Sequence, residues 1–111
     1  MDTTVTQYKR CDVVKISGRI DSDTAPALEE TLKSLTGAGR YKLVLDMTEV
    51  SFISSKGWWL LIDTQKTCRR YNRGELVLAC LDERIKKSLD LVGMGDYFKS
   101  YDDILSAVGN F

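Results

Sequence analysis

The chain has 111 residues, 43% hydrophobic and 29% charged, enough for one hydrophobic core and too few for two. Sixteen Lys and Arg balance sixteen Asp and Glu, so no net field draws the chain to nucleic acid or to an anionic membrane surface. Three cysteines and no histidine exclude the usual zinc ligand sets and any acid–base or triad chemistry that depends on His.

No apolar run approaches the roughly 18 residues of a membrane span. The opening "MDTTVTQYKRCD" lacks the apolar core of a signal peptide. The expectation is a cytoplasmic protein without membrane insertion. Cys11, Cys68 and Cys80 lie far apart with no C-x-x-C pair, and read as buried or half-buried thiols in a reducing compartment.

In chain order, "TTVTQYKRCDVVKISGRI" alternates and is rich in β-branched residues, which predicts two antiparallel strands joined near Lys9 to Cys11. "DSDTAPALEETLKSLTGAG" opens a helix, with Asp23 or Thr24 as the cap and Pro26 in the first turn. Leu28, Thr31, Leu32 and Leu35 share one face, and Gly37 and Gly39 end it. "YKLVLDM" is a short buried strand with Leu43 and Leu45 on one face and Val44 on the other. From Ser54 the period becomes helical and holds to "YNRG", with Leu60, Leu61, Thr64, Cys68 and Tyr71 on one face and Gly74 as terminator. "ELVLAC" is a strand. "DERIKKSLDLVG" is a helix capped by Asp82, with Ile85, Leu89 and Val92 facing the core. A short strand or turn and a small helix follow. The class is α/β: a mixed sheet of four to five strands with an N-terminal antiparallel edge, and about four helices.

Catalytic motifs are missing. There is no G-x-x-x-x-G-K-[ST], no G-x-G-x-x-G after a strand, and "SSKG" does not have S-x-x-K spacing. Asp21, Asp23, Asp46 and Glu49 could form an acidic site, but Asp23 reads as a cap and Glu49 as a loop residue. The expectation is a protein that is not an enzyme and needs neither cofactor nor metal.

The strand-to-helix turn at Ser54–Gly57 is the feature that remains. Such turns lie at the carboxyl end of a strand, where α/β sheets present binding surfaces. Ser54 fits the N-cap, and Ser55 then sits in the first turn with its hydroxyl outward. A phosphate there would meet free backbone N–H groups and the positive end of the helix dipole. The plainer reading is that both serines only cap. Trp58 lies on the Leu61/Ile62 side and faces the core, whereas Trp59 falls near Asp63 and Lys66 on a polar face. For Trp59 two readings stand: a ring lying flat on its neighbours, or an exposed anchor for a partner.

"LVLDMTEVSFISSKGWWLL" resembles the signature of STAS domains, in which a strand ending in Asp leads to a V/L-x-[FY]-[IM]-D-S-S/A-G turn and an apolar helix. "SGRIDSDTAPALEETL" resembles the family's G-x-[IL]-D-x-x-[TS] segment. "ELVLACLDERIKKSLDLVGMGDYFKSYDDILSAV" resembles its last strand, its penultimate helix and its G-[LM]-x-x-x-[FI] close. The resemblance covers nearly the whole chain and implies one STAS domain over residues 1–111, similar to the free-standing bacterial anti-sigma factor antagonists.

By position, the resemblance makes Ser55 the phosphoacceptor, with Ser54 a minor alternative standing where Asp is usual. Lys56 replaces a small residue, Gly57 matches the helix glycine, and Trp59 replaces a second small residue. Asp21 matches an acidic residue near the phosphosite that contacts the partner. The implied partner-binding set is Asp21, Ser54, Ser55, Lys56, Gly57 and Trp59. The implied partners are an anti-sigma factor that is also a serine kinase, and a serine phosphatase. The implied cycle is partner switching: binding when Ser55 is unmodified, release when it is phosphorylated. Two other readings are a non-phosphorylated scaffold subunit of a signalling or transport complex, and a small-ligand sensor.

Overall fold

In the computed structural model, which describes residues 1–71 and 73–111, the alternating opening segment forms a hairpin of β1 (Asp2–Gln7) and β2 (Asp12–Ile20). After it come α1 (Ala25–Gly37), β3 (Lys42–Ile53), α2 (Ser55–Arg70), β4 (Glu75–Ala79), α3 (Glu83–Leu91), β5 (Ser100–Tyr101) and α4 (Ile104–Val108). The sheet is five-stranded in the order β1-β2-β3-β4-β5. β1 pairs antiparallel with β2, and the remaining pairs are parallel. This is the expected mixed sheet with an antiparallel edge.

Alternation in the central strands supplies two cores. Val14, Leu43, Leu45, Leu76 and Leu78 face Leu28 and Leu32 of α1, Trp58 and Leu61 of α2, and Ile85 and Leu89 of α3. Val13, Val44, Val77 and Ala79 point the other way, onto Ala107 of α4. Burial of each such aliphatic side chain contributes about 1.5–3 kcal/mol.

β3 runs through Ile53 rather than ending at Met47, so Glu49 is a strand residue and not a loop residue. It lies opposite Ser17, and its carboxylate is 3.3 Å from Lys15 Nζ. Register shifts between Lys15 and Ser17 and between Gly18 and Arg19 break the alternation there, which is why the strand could not be followed from its pattern.

The start of α1 also departs from expectation. Thr24 holds the N-cap position, but neither it nor Asp23 caps through its side chain. Thr24 Oγ1 donates instead to the Arg19 carbonyl at 2.8 Å. At the far end Gly39, at φ +82°, closes the helix. The amides of Gly39 and Arg40 return to the carbonyls of Thr36 and Leu35 at 3.0 and 2.9 Å.

α2 ends at Arg70, before "YNRG", of which Asn72 lies outside the described residues. Tyr71 has extended backbone (φ −124°, ψ 140°) and is 44% exposed, so it leaves the core face assigned to it and stacks on Tyr41 at 5.0 Å between ring centroids.

Candidate functional site

β2 and β3 end together, with Ile20 opposite Ile53. The two turns that follow are therefore neighbours, and the Ser54 amide donates to the Ile20 carbonyl across them at 2.8 Å. Asp21 begins one turn and Ser54 the other.

Asp21 does the work expected of Asp23 or Thr24. Its Oδ1 accepts from the amides of Asp23 and Thr24 at 3.0 and 3.1 Å, and its own amide donates to Thr24 Oγ1 at 2.9 Å. These bonds, the Thr24 amide foremost, hold its carboxyl below the ordinary value of 3.8 despite some desolvation. Its Oδ2 lies 3.6 Å from Arg19 Nε. The Arg19 guanidinium in turn sits 4.2 Å above the centre of the Phe52 ring. Arg19 and Phe52 are partners in the β2–β3 register, so this cation–π contact follows from the strand extension and not from any motif.

Ser54 is the N-cap of α2, as expected. Its backbone is extended and its Oγ accepts from the Gly57 amide at 3.2 Å. Ser55 and Lys56 follow as the first two helical residues, both exposed. Their amides belong to the first turn, which has no intrahelical acceptors. Gly57 lies beneath them, buried: a Cβ there would fall 2.8 Å from both Ile20 Cγ2 and Ile53 Cγ1.

Trp58 is fully buried. Its Nε1 donates to Ser88 Oγ at 2.9 Å, and Ser88 Oγ donates to the Ile53 carbonyl at 3.2 Å. That relay fixes the last residue of β3 against α3. Trp59, one residue on, is 53% exposed. It lines an open groove of about 360 Å³ between the start of α1 and the face of α2, with Ala25, Pro26, Glu29, Lys56 and Asp63.

Asp21, Ser54, Ser55 and Lys56 thus gather at the carboxyl end of the sheet, with Gly57 as a spacer below them and Trp59 on the flank. The same end carries Asp23, Asp82, Glu83, Asp102 and Asp103; with Asp21 these outnumber the nearby Arg19, Lys56, Arg84 and Lys86. Among the described residues no group of acidic or Cys side chains could hold a metal ion, and no helix is long and apolar enough to cross a membrane.

The family model described as the STAS domain matches residues 2–107. This chain belongs to the STAS domain family. An anti-sigma-B factor antagonist of Staphylococcus aureus (strain NCTC 8325 / PS 47) is 31% identical to it over 93 residues, 84% of each chain. The crystal structure of an anti-sigma factor antagonist from Mycobacterium paratuberculosis superposes with a TM-score of 0.87 at 26% identity, covering 98% of this chain and 92% of that one. The Bacillus cell fate determinant SpoIIAA in its phosphorylated form shares the fold, with a TM-score of 0.75 at 14% identity and 98% of each chain covered.

Three features of this STAS domain's turn escaped the sequence reading. The Arg19–Phe52 pair needed the strand register. The Trp58–Ser88–Ile53 relay joins residues 30 and 35 positions apart. Asp21 carried a signal that went unused: an Asp followed by free amides two and three residues later is an Asx-turn pattern.

Proposed function

We propose that this STAS domain, acting as one unit over residues 1–111 in the cytoplasm, is an anti-sigma factor antagonist that works by phosphorylation-controlled partner switching. Its partner is an anti-sigma factor with serine kinase activity. The domain binds it while Ser55 is unmodified, is phosphorylated there, lets go, and is reset by a serine phosphatase. The domain is substrate and ligand, not catalyst.

The observation that carries this reading is the exposed Ser55 hydroxyl in the first turn of a 16-residue helix, beside an N-cap that is already satisfied. A phosphate there adds about −1.5 to −2 charges without melting the helix, because the dipole and first-turn amides favour it. Docking changes while the fold does not. Relatives named anti-sigma-B factor antagonist, and a fold relative known in a phosphorylated form, support the same reading.

Incubation with ATP and an anti-sigma factor kinase of the same organism should add one phosphate by mass spectrometry. Ser55→Ala should abolish it. A phosphate that survives Ser55→Ala places the acceptor elsewhere. Trp59→Ala should weaken binding of the same kinase by about 2 kcal/mol if the half-exposed ring is an anchor; an unchanged affinity assigns it to the groove alone.

Ser54 in place of Asp, and Lys56 beside the acceptor, favour a second reading: a scaffold subunit that is never phosphorylated. An exposed Lys–phosphate pair is worth about 0–1 kcal/mol, so Lys56 softens the charge change without cancelling it. Binding with no phosphate at any time would select the scaffold.

A further inference from the structure

The amino end of the parallel strands carries a cavity of about 270 Å³ lined by Lys9, Arg10, Cys11, Arg40, Tyr41 and Lys42. It lies at the opposite end of the sheet from Ser55. Lys9 and Arg10 come from the β1–β2 turn, and Arg40 to Lys42 lead into β3. We propose that this cavity is an anion site for a small polyphosphate-bearing ligand.

Arg40 is preorganised for that task. Its Nε donates to Asp12 Oδ2 at 2.7 Å, and its Nη2 donates to Asp12 Oδ1 at 3.3 Å and to the Tyr8 carbonyl at 2.9 Å. Asp12 is 1% exposed, so the guanidinium is held as a fork against a buried carboxylate. No acceptor among the described residues takes Nη1. The Asp12 charge is engaged by Arg40, which leaves Lys9 and Lys42 uncompensated. Among the described residues neither lysine has an Asp or Glu carboxylate within ion-pair distance. Arg10 Nη1 donates to the main-chain oxygen of Phe111 at 3.5 Å. Burial above all, and then the charge of Asp12, pushes the Cys11 thiol up, so it adds no competing negative charge.

The surroundings extend the field. Arg69, Arg70 and Arg73 sit at the end of α2, and Lys99 precedes β5. Glu75 lies 3.8 Å from Arg69 and 3.6 Å from Lys99, and Asp90 and Asp96 lie at the same end of the sheet, so these bases add to the field only in part. Tyr41, backed by Tyr71, forms an aromatic wall. The volume is slightly below the 300–1,000 Å³ usual for small-molecule pockets, which fits a di- or triphosphate group better than a whole large cofactor.

The test is titration of the ¹⁵N-labelled full chain with sodium pyrophosphate at low ionic strength, with sodium chloride at matched ionic strength as control. Saturable amide shifts confined to residues 8–12 and 39–43 are expected. In Lys9→Ala/Lys42→Ala, whose unfolding midpoint should match the unaltered protein, affinity should drop at least about tenfold. Shifts reproduced by sodium chloride, or an affinity unchanged in the double variant, would overturn the site. Sedimentation with phosphatidylglycerol vesicles, without saturable pyrophosphate binding, would replace the small ligand by a lipid surface. Ser55 plays no part in any arm, so the outcome is independent of the switching cycle.

Discussion

Gly57 sets how closely α2 approaches the ends of β2 and β3. In a helix interior Ala is favoured over Gly by about 0.8–1.0 kcal/mol. Here the added methyl would stand 2.8 Å from two buried isoleucines, and β-branched side chains have little freedom to turn away. Overpacking of this kind costs about 1–3 kcal/mol. Gly57→Ala should therefore lower the stability measured by urea unfolding by about 1 kcal/mol, despite its better helix propensity. Because Ile20 and Ile53 each precede one of the two turns, the same change should shift the amide resonances of Asp21 and Ser54. A variant more stable than the parent would show that the isoleucines yield freely.

At the scale of elements, β4 is supported unevenly. β5 pairs only with Leu78 and Ala79. Its shortness leaves Leu76 to another partner, and α2 provides it. Gln65, fully buried, accepts from the Leu76 amide at 2.7 Å and donates to the Leu76 carbonyl at 2.9 Å. One side chain completes the strand edge. Gln65→Met keeps the volume and orphans both groups, each costing about 1–3 kcal/mol. A loss near 3 kcal/mol in chemical unfolding is expected, and a loss below about 1 would mean that water replaces the amide. Gln65 was invisible in the sequence because a polar residue on an apolar helical face reads as noise until the neighbouring strand is known to stop short. The periodic elements were legible: the hairpin, the three longer helices and the cap at Ser54 follow from spacing and residue type alone. The latter half of β3 was not, because bulges erase the period, and Tyr71 was not, because its helical spacing continues past the place where the backbone straightens.

For the molecule as a whole, buried thiols tie stability to alkaline pH. Burial pushes Cys68 up to about 12, from an ordinary 9.0. The unfolded thiol ionises near 9.0 and the folded one does not. The stabilising contribution of the protonated thiol is thus fully present below that value and declines as pH rises from 9.0 toward 12. Below pH 9 the parent should exceed Cys68→Ala in unfolding free energy, and the gap should narrow across that window. A constant gap would mean that the folded thiol ionises as readily as the unfolded one. The candidate site was legible in its serines, with Ser54 at the N-cap and Ser55 in the first turn as cap chemistry puts them. It was not legible in its electrostatics, since a sequence sum of zero says nothing about where charges go.

The charges do separate. Acids are in excess past the carboxyl ends of the strands and bases before their amino ends, with a hydrophobic sheet between. A neutral body built this way has a dipole moment directed along the strands. In the field of a charged neighbour it experiences little net pull but a definite torque. A basic partner surface would rotate the domain until the Asp21–Ser55 end leads, before any contact forms. A phosphate on Ser55 would add to the negative end of that dipole, so modification would act on orientation as well as on contact.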